Sequence, residues 1–199
     1  NFVPPPPKNI KESGYSNYFL YVGVLEEHKG ICNLLNLFKE HSSEIDARLI
    51  IVGKGSLKEK IMDYIAKNKL ENNVKVLGWV SDEMLWSLYK DALALVIPSI
   101  WPENNPIVAL EAMSVGTPVI GTDAGGIGEI IGPLDKNLIF KGDGLEEIRK
   151  ILEKEFTCSR EKINDVYDKY YSSGSYLGKY LSFIGMQMNK DIKEDKGGK

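Results

Sequence analysis

The sequence predicts a doubly wound parallel α/β sheet of Rossmann-like type, on three observations. Runs such as YFLYVG (18–23), ARLIIVG (47–53, Arg48 apart) and LALVIP (93–98) are apolar throughout, as strands covered on both faces are. The stretches between them repeat apolar residues at helical spacing. Strict alternation of the two then calls for crossover connections, which are right-handed and place helices on both sides of the sheet.

Taken in order, residues 1–16 read as an interdomain linker, because Pro4 to Pro7 form a stiff extended segment and no apolar signal-peptide core precedes them. Residues 17–157 form the predicted domain. Its first strand, 18–23, leads to a helix over 30–41 with Leu34, Leu35, Leu37 and Phe38 on one face. The second strand, 47–53, is followed by a helix over 56–67, with Ser56 as N-cap and Glu59 completing a capping box. A strand at 74–77 precedes a helix at 82–90, and a strand at 93–98 precedes a helix at 106–115. Pro106 suits the first helical position there, with Asn105 as N-cap. A strand at 118–121, one helical turn at 127–131, a short strand at 138–140 and a helix at 145–154 complete the series. Two further helices, 161–171 and 176–188, occupy residues 158–190, and 191–199 reads as a frayed tail.

Composition narrows the function. The chain has 199 residues, 43% apolar, with 25 basic and 28 acidic side chains for a net charge of −3. No nucleic-acid partner is expected, since gripping a polyanion requires a basic field. No apolar run reaches the ~20 residues of a bilayer-spanning helix. Cys32 and Cys158 lie far apart and without a metal-ligand spacing, so a reduced, cytoplasmic setting and no metal are expected. Only Arg48, Arg149 and Arg160 are available for bidentate phosphate contacts.

Ligands of open α/β sheets bind at the carboxyl ends of the strands, so the chemistry is sought in the turns that follow them. After the first strand, Gly23 permits close backbone approach, and Lys29 stands before a helix start, where a cation opposes the helix dipole unless an anion lies between. A solvated lysine is the plain alternative, and His28 reads as a loop histidine. Gly53-Lys54-Gly55-Ser56 resembles a phosphate loop but matches neither the Walker nor the dinucleotide pattern. In Gly78-Trp79-Val80, the indole suits either a base-covering role or the core. The turn after the fourth strand is richest, with Glu103 above a helix N-terminus and Glu111 inside that helix among Val108, Leu110, Ala112 and Met113. A carboxylate so placed requires strong hydrogen bonds, from vicinal ligand hydroxyls or from an internal partner. Gly125-Gly126 adds further room for close approach.

Together these residues carry a family resemblance over about Tyr18 to Leu152. Lys29-Gly30, Gly53-Lys54-Gly55, Gly78-Trp79-Val80, Glu103 and Glu111 with seven residues between, Ala112-Met113, Gly116-Thr117-Pro118-Val119 and Gly125-Gly126 follow one another as in the C-terminal, donor-binding domain of the retaining glycosyltransferases of GT-B architecture, the group 1 (family 4) class. The resemblance implies the donor-binding half of a hexosyltransferase-type enzyme acting in cell-envelope polysaccharide, glycolipid or glycan synthesis, with a nucleoside-diphosphate sugar as donor. It assigns Glu103 and Lys29 to catalysis, at the sugar and the diphosphate. Donor binding falls to Gly23, Lys54, Gly55, Trp79, Val80, Asn104, Asn105, Pro106, Ile107 and Glu111, with Glu111 on the ribose. No cofactor or metal is implied.

The family's usual basic residue after the first glycine is Val24 here, which removes one diphosphate contact. The acceptor would sit on an N-terminal domain of the same protein, outside this chain, which would also make any membrane contact; this half alone is expected to be inactive. The alternatives weighed are a GT-B nucleotide-sugar 2-epimerase, which needs more histidines than His28 and His41, and a non-catalytic nucleotide- or partner-binding module. A receiver-type signalling domain is set aside because Gly23-Val24 stands where its acidic pocket would begin.

Overall fold

The continuous apolar runs do fold as strands. In the computed structural model, which describes residues 3–140, 143–153, 155, 159–178 and 180–184, five parallel strands make one sheet. They are β1 (Tyr18–Val22), β2 (Arg48–Val52), β3 (Val74–Gly78), β4 (Ala94–Ile97) and β5 (Val119–Gly121), in the spatial order β3-β2-β1-β4-β5. Leu20, in the middle of the central strand, pairs with Ile50 on one side and Leu95 on the other. Helices α1 (Ile31–Glu40), α2 (Lys58–Lys67), α3 (Asp82–Asp91), α4 (Ile107–Ser114), α5 (Gly126–Ile131) and α6 (Leu145–Leu152) follow in the expected alternation, and α7 (Arg160–Tyr170) packs back against α4. The core is one contiguous cluster running through both faces of the sheet. Each of its buried Leu, Ile and Phe side chains contributes roughly 1.5–3 kcal/mol of transfer free energy.

Three local expectations are corrected. The segment at 138–140 is not a strand: a 3-10 turn, Lys136–Leu138, is capped by the Asp135 carboxylate accepting from the Asn137 N–H at 2.8 Å. Only a single bridge, Gly121 to Ile139, touches the sheet. Ser56 does not cap α2, because its N–H and hydroxyl both donate to the Glu26 carboxylate, each at 2.8 Å, and the helix begins later, at Lys58. These two bonds hold Glu26 below the usual carboxylate range. Asn105 is not the cap of α4 either. Pro106 takes that position with φ −67° and ψ 104°, an extended geometry that the pyrrolidine ring accepts.

The segment before β1 has neither strand nor helix, yet it is tied down. Val3 is buried and its carbonyl accepts from the Tyr167 hydroxyl at 3.3 Å, while the Ser13 N–H donates to Asp91 at 2.6 Å. Residues 173–178 and 180–184 are helical, with Tyr176, Leu177, Tyr180, Leu181 and Phe183 exposed instead of packed on the sheet. The remainder of the helix expected to reach 188, the tail 191–199 and Cys158 lie outside the described residues.

Two glycines with the same backbone geometry separate steric from conformational cost. Gly30 and Gly78 both have φ +71°, but a Cβ on Gly30 would stand 1.8 Å from the Pro98 carbonyl oxygen, whereas one on Gly78 meets nothing within 4 Å. Gly78→Ala is expected to cost about 1–2 kcal/mol, the left-handed term alone. Gly30→Ala is expected to cost roughly 3–4 kcal/mol, because the corner between β1 and α1 must also move off β4. Urea unfolding midpoints of the two variants measure the difference.

Candidate active site

Where the helical cover separates, between β1 and β4, a cavity of about 270 Å³ opens at the carboxyl ends of the strands. Tyr21 to Val24, the tip of β4 with Pro98 and Ser99, and the start of α4 line it, and Lys29 and Glu103 project into the same space. A larger opening of about 770 Å³ lies at the other end of the sheet, among Tyr15, Lys90 and Arg160. It is at the amino ends of the strands, away from the crevice in which α/β sheets hold ligands.

Glu103 is positioned twice over. Its backbone pairs with the loop after β5: its N–H donates to the Ala124 carbonyl at 3.2 Å and its carbonyl accepts from the Gly126 N–H at 2.6 Å. Its Oε1 accepts from the Ser99 hydroxyl at 2.9 Å and is ion-paired with the Lys29 ammonium. Ser99 is held in turn, its carbonyl accepting from Thr122 Oγ1 at 2.6 Å. Lys29 ends a 3-10 turn, Glu27–Lys29, and the His28 carbonyl accepts from the Ile100 N–H at 3.0 Å and the Trp101 N–H at 3.3 Å. His28 thus serves the site through its backbone. Tyr21 Oη donates to the Val24 carbonyl at 2.9 Å, and burial, reinforced by the Glu103 charge, pushes its phenol up from the usual tyrosine range.

Glu111 lies one turn beyond Ile107 on the same face of α4, half-buried, and its Oε2 accepts from the Tyr89 hydroxyl at 2.8 Å. Desolvation raises its carboxyl above the ordinary 4.5, against the lowering effect of the Tyr89 bond. Of the two partners left open by the sequence, an internal one is therefore present for one oxygen.

Gly23, Lys29, Glu103, Asn105, Pro106 and Ile107 line the cavity together, whereas Lys54, Gly55, Trp79, Val80, Asn104 and Glu111 are not part of its lining. Trp79 is 69% exposed at the tip of β3, so it is no core indole, and the Lys54 ammonium lies 5.8 Å from its ring centroid. Val24 is exposed at the cavity's rim. The glycines serve the loops more than a ligand. Added Cβ atoms would stand 1.8 Å from the Gly23 carbonyl oxygen at Gly53, and 2.4 Å from that of Leu25 at Gly55. At Gly126 the clash is with Asn104, at 2.2 Å. The sequence reading missed Ser99, Thr122, Tyr89 and Tyr21. Ser99 sits in the turn after β4 and was open to notice; the others lie far from the glutamates in sequence. Among the described residues no cluster of His, Cys, Asp and Glu is arranged to hold a metal, and no helix is long and apolar enough to cross a membrane.

The chain belongs to the family Glycosyl transferases group 1, which it matches over residues 7–168, a longer stretch than the 18–152 of the motif resemblance. An uncharacterised glycosyltransferase of Methanocaldococcus jannaschii is 38% identical over 184 residues, covering 89% of this chain and 38% of that protein. The lipopolysaccharide outer core galactosyltransferase WaaB superposes with a TM-score of 0.73 at 23% identity, over 92% of this chain and 52% of WaaB. Anabaena HepE, solved with UDP-glucose, gives a TM-score of 0.66 at 18% identity over 92% of this chain and 50% of its own. The chain thus has the Rossmann-like fold of the GT-B glycosyltransferases and spans about half the length or less of these relatives.

The raised Glu111 carboxyl has a consequence for stability. Its folded-state value exceeds its unfolded one, so the folded domain favours the protonated form, and stability is lost as pH rises through the folded-state value. Glu111→Gln, which keeps an acceptor for Tyr89, is expected to raise the unfolding temperature near neutral pH and to leave it unchanged below 4.5, the ordinary carboxyl value. Thermal unfolding followed across this pH range tests it.

Proposed function

We propose that this chain is the C-terminal, donor-binding half of a retaining glycosyltransferase of the family 4 class, taking a nucleoside-diphosphate hexose. The observation that carries the proposal is the ion-paired Glu103 and Lys29 in the β1–β4 cleft, with Glu111 one turn into the helix whose start borders it. In this reading Glu111 accepts hydrogen bonds from the ribose hydroxyls. The diphosphate lies against Lys29 and the first N–H groups of α4, which lack intrahelical partners and favour an anion. Glu103 accepts from hydroxyls of the transferred sugar. Trp79, with the Gly78–Val80 turn and Lys54, takes the base end, and Gly23, Gly55 and Asn104 to Ile107 shape the walls through their backbones.

Transfer breaks the bond between the anomeric carbon and the β-phosphate oxygen and forms one to an acceptor hydroxyl, whose proton passes to the departing phosphate. Negative charge grows on that phosphate as the sugar takes on oxocarbenium character, so Lys29 and the α4 amides act where the charge develops, without a metal. The acceptor site would belong to a further domain of the same polypeptide, which accords with a chain spanning half of WaaB. The isolated chain is then inactive, while the whole enzyme works in the cytoplasm and makes any membrane contact through that other domain.

Calorimetric titration with UDP, GDP, ADP and CMP tests the reading. One nucleotide is expected to bind saturably, equally with and without magnesium, and Glu111→Ala is expected to abolish binding. Undiminished binding by Glu111→Ala would remove the ribose role and with it the proposal. Val24→Arg is expected to tighten binding about tenfold, by adding one charge-assisted hydrogen bond to the diphosphate.

A further inference from the structure

Lys29 and Glu103 face the same space, and each is the other's partner. The two side chains are 24% and 19% exposed, so their attraction is screened less than that of a surface pair. They differ in freedom. Glu103 is fixed by its backbone bonds to Ala124 and Gly126 and by the buried Ser99 hydroxyl on Oε1. Lys29 carries a point charge on a flexible four-carbon stem, so it is the partner able to leave. A phosphate that recruits Lys29 therefore competes with Glu103 for its ammonium.

We propose that this pair is a counter-ion exchange that makes the site prefer an intact sugar nucleotide over the free nucleoside diphosphate. The inference rests on the sugar-nucleotide reading above. When a nucleoside diphosphate binds alone, its phosphates draw Lys29 away, and the partly buried Glu103 carboxylate keeps the Ser99 hydroxyl but loses its counter-ion, an arrangement that costs free energy. When the sugar is attached, its hydroxyls donate to Glu103 and replace the ammonium. Glu103 thus penalises the product of transfer and not the donor. It is a specificity-determining residue through Lys29, beyond any contact it makes with the sugar.

The test is calorimetric titration of the 199-residue chain with UDP, GDP and ADP and with the hexose ester of each. Glu103→Gln keeps the side chain's length and an acceptor for Ser99 but cannot neutralise Lys29. It is expected to bind the preferred nucleoside diphosphate about fivefold tighter than wild type, and the preference for the sugar ester is expected to fall by at least that factor. In a Lys29→Met background the same substitution is expected to leave nucleoside diphosphate affinity unchanged. Glu103→Asp, which withdraws the carboxylate by one methylene, serves as the second variant and is expected to shift affinity in the same direction by a smaller factor. A wild type that binds normally beside a Glu103→Gln variant that binds no tighter would overturn the exchange and leave the sugar-nucleotide reading standing. Failure of all six compounds to bind wild type and Val24→Arg alike would overturn both.

Discussion

A sheet wound outward in two directions from one strand leaves its helical cover open where the windings part. Here β1 feeds toward β2 and β3 on one side, while β4 and β5 lie on the other, so the crevice falls between β1 and β4. The charged groups that line it are placed by that topology. Lys29 arrives from the turn after β1, Glu103 from the turn after β4, and the start of α4, with Pro106 as its N-cap, lines the gap. Their meeting needs no long-range sequence signal.

The second constraint is close packing among the loops. Gly30 accommodates the Pro98 carbonyl, Gly53 and Gly55 accommodate the carbonyls of Gly23 and Leu25, and Gly126 accommodates that of Asn104. Further bonds between the β1 and β2 loops run from the Leu25 N–H to the Lys54 carbonyl and from the Leu57 N–H to the Leu25 carbonyl, at 2.9 and 3.0 Å. Rigid loops hold charged side chains at fixed separations, so an ionic network can be built on segments that would otherwise fluctuate.

Much of this was legible in the sequence, for identifiable reasons. Strands buried on both faces announce themselves as apolar runs, and the edge strand β3 keeps enough of that pattern around its exposed Lys75, so all five strands and α1 to α6 were found from the residues. What failed was local competition for hydrogen bonds. Ser56 has the chemistry of a cap, but Glu26 claims both of its donors from thirty residues away, a contact invisible to any local pattern. The strand expected at 138–140 lost to Asp135, whose side chain closes a turn first. Within the site, Glu103, Glu111 and Lys29 stood out because charges in apolar or helix-start contexts are conspicuous. Tyr89 did not, since a tyrosine in an amphipathic helix looks like core until the carboxylate beside it is seen. The glycines were read as space for a ligand; much of that space is taken by neighbouring backbone.

That last point bears on how such a domain changes over evolutionary time. Because the β1 and β2 loops fill each other's missing side-chain volume, neither can be exchanged alone: a foreign β1 loop would bring its carbonyls to different places over Gly53 and Gly55. The two turns therefore behave as one heritable cassette, and recombination between relatives succeeds when it carries both or neither. Val24, exposed at the rim, takes no part in this interlock. Donor affinity can change there by single substitutions while the interlocked loops beneath stay as they are.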